Sequence, residues 1–401
     1  MNESKVVLIV PDILNSFSGI ETHGEYFYSF LKKHSILDCV LTRKNNLEID
    51  SELDDGIIIK KDIEVYSNKS LTGNLKDDTK ILNSINKDKK IFFLNNLSWL
   101  PIFEDFDKKK SKIIVRSGGN DLIAGWISYK EIDSNNIKKN QKKLIELINQ
   151  KIDLLIVNSS YSYAKYIELG VKQEKLVKIM GGIDKDFLYK CSNIEKKIIK
   201  QELNIPKNKK VILSVGRLIK FKGFEHSLEV VKKLKEKRND FIYIIIGTGP
   251  DYEKLKNKVK KLDIEDLVRF EGYFHFQKIS KYLRVSDLLL HSPIYAEIQS
   301  EKGNYIQTET MGRVIYEALS AGCPVIGSNV GGIPEIIDDK FNGFITKEKD
   351  INKTLYYIEK CISNKNLLDF LSKNAYEISD KITWEVIFRK YIDLALYLEL
   401  I

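Results

Sequence analysis

Cysteine is scarce in this chain and shows no pattern. Cys39, Cys191, Cys323 and Cys361 lie far apart, with neither metal-ligand nor Cys-x-x-Cys spacing. A disulfide scaffold and a zinc module are thereby excluded, and the expectation is a reducing cytoplasm with each thiol packed. Long hydrophobic runs are missing too. No stretch reaches the roughly 18 apolar residues of a membrane-spanning helix. The first apolar run, Val6 to Val10, is too short for a secretion signal and reads as a strand. No nucleic-acid module is recognisable and no basic stripe carries interleaved aromatics, so a nucleic-acid partner is not expected. Low-complexity segments are also absent.

What is present describes a globular α/β protein. The 401 residues are 43% hydrophobic and 30% charged, and that length suggests more than one core. The net charge of +9 comes from 65 basic and 56 acidic residues, spread along the chain as a solvated surface would have them. The basic segment 137–148, with Lys138, Lys139, Lys142 and Lys143, reads as an amphipathic helix whose charged face suits water or an anionic membrane surface. Apolar runs alternate with longer amphipathic segments throughout, the pattern of parallel sheets covered by helices. Strands are expected at Val6–Val10, Cys39–Thr42, Ile91–Leu94, Ile113–Val115 and Leu154–Val157, and again at Val211–Val215, Ile242–Ile246, Val268–Phe270, Leu288–Leu290 and Val325–Gly327. Two such series imply two Rossmann-like domains, 1–185 and 186–383, and the last segment, 384–401, reads as a helix.

The densest chemical signal is Thr308-Glu309-Thr310-Met311-Gly312-Arg313-Val314-Ile315-Tyr316-Glu317. Gly312 ends a loop and a helix begins near Arg313 or Val314, so Glu309 falls in the loop and Glu317 on the helix. Free N–H groups at a helix N-terminus favour phosphate, and carboxylates accept hydrogen bonds from hydroxyls. The pattern suits a ligand with phosphate in its middle and sugar at both ends. After it come Cys323-Pro324-Val325-Ile326-Gly327 and Gly331-Gly332-Ile333-Pro334-Glu335, a buried strand and a glycine turn.

From Glu309 to Glu335 the sequence resembles the nucleotide-binding half of the retaining GT-B glycosyltransferases of family 4. The resemblance implies two Rossmann-like domains facing across a cleft. The first would bind the acceptor, with the terminal helix packing back on it, and the second a UDP- or GDP-sugar. It implies Glu309 on the donor sugar, Glu317 on the ribose, and the backbone of Thr310, Met311, Gly312, Arg313 and Val314 near the diphosphate. Gly216-Arg217-Leu218 with Lys222-Gly223 matches the family's diphosphate-holding element, which makes Arg217 and Lys222, with Glu309, the catalytic candidates. Gly247 matches the glycine turn beside the donor, and Glu271 and Tyr273 the element whose backbone meets the base; Tyr273 suits either stacking or packing. Gly19 keeps one of the two glycines the family has in its first loop, where Ser18 replaces the other. In the first domain many members carry a histidine before an aspartate. Asn120 stands there, with Asp121 retained, so a histidine role is not carried over, and Arg116 and Asn120 offer bonds to a sugar or an anionic group. His23 lies nearest the expected cleft, although a lone histidine is more often structural. An insertion, 294–308, separates His291-Ser292-Pro293 from Glu309. No cofactor is implied. No metal is implied either, and Asp105-Phe106-Asp107 has no supporting context.

The function implied is transfer of a sugar from a nucleotide sugar to a saccharide or lipid-linked acceptor, for a bacterial surface polysaccharide, by a cytoplasmic enzyme able to sit against the inner face of the membrane. Another GT-B enzyme, such as a nucleotide-sugar epimerase or sugar-phosphate synthase, and a non-catalytic binding subunit remain alternatives. An NAD-dependent dehydrogenase is excluded, because the first loop lacks Gly-x-Gly-x-x-Gly and the second strand ends in Thr42-Arg43-Lys44 without an acid.

Overall fold

The computed structural model describes residues 5–10, 19–42, 71–108 and 111–400. The chain divides into two compact units, one made of 1–181, 298–305 and 384–401, the other of 182–297 and 306–383.

In the first unit β1 (Lys5–Ile9), β2 (Leu37–Leu41), β3 (Lys90–Leu94), β4 (Lys112–Arg116), β5 (Leu154–Val157) and β6 (Leu176–Lys178) form a parallel sheet ordered β2-β1-β3-β4-β5-β6. Its strands are nearly continuous Val, Ile, Leu and Phe because helices cover both faces. One face packs on α2 (Leu75–Ile85), α3 (Ile137–Lys151) and α4 (Ser160–Glu168). The other packs on α1 (Gly19–Lys33) and the terminal helix 384–400, through Phe27, Phe30, Phe388 and Tyr391. His23 lies inside that aromatic cluster, fully buried, with Nε2 3.1 Å from the Tyr391 hydroxyl. It is a packed core residue with a polar partner. Gly19 is the first residue of α1, whereas Phe17 and Ser18 lie outside the described residues.

The second unit begins with α5 (Asn193–Glu202), closed at its N-terminus by a capping box between Ser192 and Glu195. Then β7 (Lys210–Val215), α6 (Phe224–Lys235), β8 (Phe241–Ile246), α7 (Tyr252–Lys261), β9 (Val268–Gly272), α8 (Phe276–Val285) and β10 (Leu288–His291) alternate. Residues 294–308 hold a β-hairpin, β11 (Ala296–Ser300) and β12 (Gly303–Gln307), whose tip, 298–305, belongs to the first unit. After it come α9 (Arg313–Ser320), β13 (Val325–Ser328), β14 (Gly343–Thr346), α10 (Ile351–Ser363) and α11 (Lys365–Tyr376); the helix 384–400 is α12. The parallel sheet runs β14-β13-β10-β7-β8-β9. Its strand order reverses beside β7, and ligands of open α/β sheets bind at the carboxyl ends of strands near such a reversal.

Candidate active site

At the carboxyl ends of β7, β8 and β9 the loops are laced together by backbone hydrogen bonds. Gly216 N–H donates to Ile246 O at 2.9 Å, Leu218 N–H to Thr248 O at 2.8 Å and Gly247 N–H to Gly272 O at 2.7 Å. The contact between two of these turns requires glycine, since a Cβ on Gly247 would lie 1.9 Å from the Gly216 carbonyl oxygen. Gly216 and Gly247 are therefore brought together, as the sequence implies. Arg217 is exposed on the first of these loops. Lys222 follows on the same loop and its stem passes over Gly216, with Cε 3.7 Å from where a Cβ would be. Beyond β9, Tyr273 is exposed and meets His275 edge-on at 5.8 Å. The Glu271 side chain is committed elsewhere. It pairs with Arg269, whose guanidinium also donates to the Leu203 and Asn204 carbonyls.

The hairpin between β10 and α9 is closed at its base. Thr308 Oγ1 donates to Ile294 O at 3.1 Å, and Ile294 N–H to Phe221 O at 2.8 Å. Chain entering and leaving the excursion is thus neighbouring, and Glu309, next after Thr308, pairs with Lys222 of the loop after β7. At the tip Lys302 pairs with Asp133, and its carbonyl accepts the Ile137 N–H that opens α3.

Gly312 stands at the N-cap of α9 with φ 78°, a left-handed turn that glycine adopts without strain and that sends the chain sharply into the helix. Thr310 and Met311 are buried behind it, and Arg313 and Val314 form the first turn, where N–H groups have no intrahelical acceptor. Ile315 and Leu319 anchor the buried face of the helix. Glu317, one turn in, is buried and receives a hydrogen bond from Arg313 Nε at 3.0 Å.

Glu309 is the electrostatic centre. Its carboxylate pairs with the Lys222 ammonium, and their side chains are only 12% and 17% exposed, so water screens the pair little. Its backbone carbonyl accepts the Gly332 N–H at 3.2 Å, which ties the glycine turn after β13 to the same place. His291, the last residue of β10, places Nε2 3.3 Å from Glu309 Oε2, off the line of a well-formed hydrogen bond. Burial alone would raise the Glu309 carboxyl, but Lys222 and then His291 outweigh it and hold the group well below the usual carboxylate range. Burial lowers His291, against the opposing pull of Glu309. The pairing of Lys222 with Glu309 and the presence of His291 beside them escape sequence reading. The one available signal is a histidine closing a strand whose carboxyl end faces the ligand region.

In the first unit Arg116 closes β4. It is buried, its charge opposes the upward push of burial on the Tyr391 hydroxyl, and it has an Nη1 without a hydrogen-bond partner. Asp121 is buried nearby. Its carboxylate accepts the Ser117 hydroxyl at 2.5 Å, the Tyr166 hydroxyl at 2.7 Å, the Gly118 N–H at 2.9 Å and the Leu122 N–H at 3.2 Å. That network fixes the 117–122 loop, and Asn120 sits on it with its carbonyl accepting the Ala124 N–H. Asp105 and Asp107 are exposed in a loop braced by Asn83 through the Asp105 carbonyl and the Asp107 N–H.

Residues 195–378 match the family described as glycosyl transferases group 1. An uncharacterised glycosyltransferase of Haemophilus influenzae is 32% identical over 199 residues, 47% of this chain and 51% of that protein. The amylovoran biosynthesis glycosyltransferase AmsK of Erwinia amylovora is 28% identical over 220 residues, 55% of this chain and 50% of its own. This chain spans about half the length of these curated relatives. Among solved structures, HepE of Anabaena, crystallised with UDP and glucose, superposes with a TM-score of 0.72 at 19% identity, covering 98% of this chain and 99% of HepE. That likeness establishes the GT-B fold of two Rossmann-like units. No helix among the described residues is long and apolar enough to cross a membrane. The second unit, which carries the Glu309–Glu317 element opening α9, is thus the part of the chain that is similar to the glycosyl transferases group 1.

Proposed function

We propose that this protein is a retaining glycosyltransferase that moves a sugar from a UDP- or GDP-sugar to a saccharide or lipid-linked acceptor in the assembly of a bacterial surface polysaccharide. The observation that carries the reading is the part-buried Lys222–Glu309 pair set at the N-terminus of α9. It supplies a cation, a carboxylate and helix N–H groups at the strand ends where a nucleotide sugar needs them. The names of AmsK and HepE support it, since one acts in amylovoran biosynthesis and the other was solved with UDP and glucose.

The donor diphosphate meets Arg217, Lys222 and the amides of Met311 to Val314. A planar guanidinium and a mobile ammonium are complementary anion partners, and both act where charge develops as the nucleotide leaves. Glu309 holds hydroxyls of the transferred sugar and Glu317, oriented by Arg313, the ribose. Because the Glu271 side chain is engaged by Arg269, contact with the base falls to the backbone of that element, with Tyr273 at its edge. The acceptor hydroxyl attacks the face of the anomeric carbon from which the diphosphate departs. The C–O bond to the nucleotide breaks as the new one forms, and the acceptor's proton passes to the leaving diphosphate, so configuration is retained. Positioning and charge stabilisation carry the rate. Arg116 and Asn120 bind the acceptor, and Asp121 holds their loop. The reaction needs no metal, and the protein works in the cytoplasm, with the exposed Lys138, Lys139 and Lys142 of α3 lying against the inner leaflet.

The test is a thermal-shift panel of UDP- and GDP-sugars, since a ligand that binds only the folded state raises its melting temperature. One donor should raise Tm by several degrees, persist in EDTA, and give a product whose anomeric proton matches the donor's configuration. No stabilisation by any nucleotide sugar, a strict requirement for Mn²⁺ or Mg²⁺, or an inverted product contradicts the corresponding part of the proposal.

A further inference from the structure

We propose that His291 is a positioning residue of the transfer reaction, its imidazole Nε2–H holding the Glu309 carboxylate in register while Lys222 turns to the donor diphosphate. The inference rests on the donor-site reading above. Lys222 has two anionic claimants on that reading, Glu309 and the diphosphate, and one ammonium cannot serve both at full strength. When it turns to the phosphates, a carboxylate that is only 12% exposed must keep another polar partner or lose its orientation. His291 is the side chain in place to serve.

The two partners of Glu309 differ in mobility. Lys222 ends a flexible four-carbon stem on a loop, and its ammonium can relocate over several ångströms. His291 is 4% exposed and closes β10, its backbone registered against Gly327 of β13. A histidine fixed to a sheet strand cannot follow the substrate, which is what an anchor requires. The contact also selects the tautomer. A carboxylate oxygen 3.3 Å from Nε2 is favourable only if that nitrogen carries the proton, because two facing lone pairs repel. The charged groups that face the imidazole are Glu309 and Lys222. Burial, the largest influence, lowers His291 and so disfavours the imidazolium, which favours the neutral imidazole as donor. At present Nε2 is off-line with Oε2, and departure of Lys222 frees the carboxylate to swing into alignment.

Three readouts on the full chain test this. With the nucleotide sugar that gives the largest thermal shift, His291→Leu should lower kcat about 10- to 100-fold while donor KM stays within about threefold, the signature of an interaction that matters most in the transition state. His291→Gln, which presents an amide N–H near the Nε2 position, should restore most of kcat. In histidine-labelled protein, long-range 1H–15N spectra should show His291 neutral with its proton on Nε2, and the resonance should move in Glu309→Gln. Unchanged kcat in His291→Leu, a glutamine variant no better than leucine, or an Nδ1–H tautomer would overturn the inference. Calorimetry with UDP separates this failure from failure of the donor site. Normal UDP binding by wild type and both variants with a silent His291 removes only the positioning role, whereas wild type that does not bind UDP removes the donor site and the role with it.

Discussion

Each unit holds a carboxylate near the carboxyl ends of its strands, Asp121 buried and Glu309 part-buried, and the two are held in opposite ways. Asp121 accepts from the Ser117 and Tyr166 hydroxyls and from the Gly118 and Leu122 amides. Every one of those donors is neutral and fixed to the backbone or to a packed ring, and none has reason to leave. Glu309 is held by a lysine on a loop and faced by a buried histidine. A carboxylate satisfied by hydroxyls and amides is a structural knot, whereas one satisfied by a mobile cation can exchange that cation for a ligand. Burial alone does not separate the two. The chemistry of the partner does.

The comparison is broken most severely at Asp121. Asp121→Ala removes the acceptor shared by the Ser117 and Tyr166 hydroxyls and the Gly118 and Leu122 amides and should destabilise the protein by about 3 kcal/mol. Denaturant unfolding checks this, and UDP affinity of the folded fraction should be unchanged. A fully stable Asp121→Ala would show that the network is dispensable. Arg217 comes next and should behave in the reverse way. It is exposed, so Arg217→Ala should leave the melting temperature alone but weaken UDP binding by roughly 1.5–3 kcal/mol, the range for a hydrogen bond to a charged group. Unchanged affinity in calorimetry counts against the diphosphate site. Glu317 sharpens the contrast inside the second unit. The ribose lies far from the breaking bond, so Glu317→Gln removes binding common to ground and transition states. It should raise donor KM about tenfold with kcat nearly constant in steady-state kinetics.

A smaller effect follows from protonation. The folded Glu309 carboxyl sits below its unfolded value, so the folded state keeps it charged where the unfolded chain takes up a proton. Its contribution to stability is fully present above the ordinary carboxylate pKa of 4.5 and is lost as pH falls through the lowered folded value. Melting temperatures measured downward from pH 6 should therefore decline on an acid limb that is flatter in Glu309→Gln. An identical limb in both proteins would mean that the Lys222–Glu309 pair contributes no linkage.

Much of this architecture was legible in the sequence because parallel strands covered on both faces are continuous apolar runs. Phe241–Ile246 and Lys210–Val215 can be recognised without neighbours. β14 could not, since Gly343-Phe344-Ile345-Thr346 is short and has few apolar side chains, and it is defined by its pairing with β13. The hairpin strands β11 and β12 pair with each other and carry exposed polar residues, so no buried run announces them. The same division runs through the site. Gly312 and the helix after it are local features, and the loop–helix placement of Glu309 and Glu317 follows from them. The pairing of Glu309 with Lys222 and its approach to His291 depend on the loop after β7, the end of β10 and the closed base of the hairpin. Those contacts are made across the chain, and local spacing carries no trace of them.

The contrast between the two carboxylates comes down to Glu309. Glu309→Gln keeps the shape of the side chain and removes the charge that Lys222 and the sugar hydroxyls respond to. Steady-state kinetics with the best-stabilising nucleotide sugar should show kcat reduced about 100-fold, the scale seen when one preorganised polar contact to a transition state is lost, with donor KM within about threefold. A kcat equal to wild type, or a loss expressed wholly in KM, would contradict the placement of Glu309 on the transferred sugar.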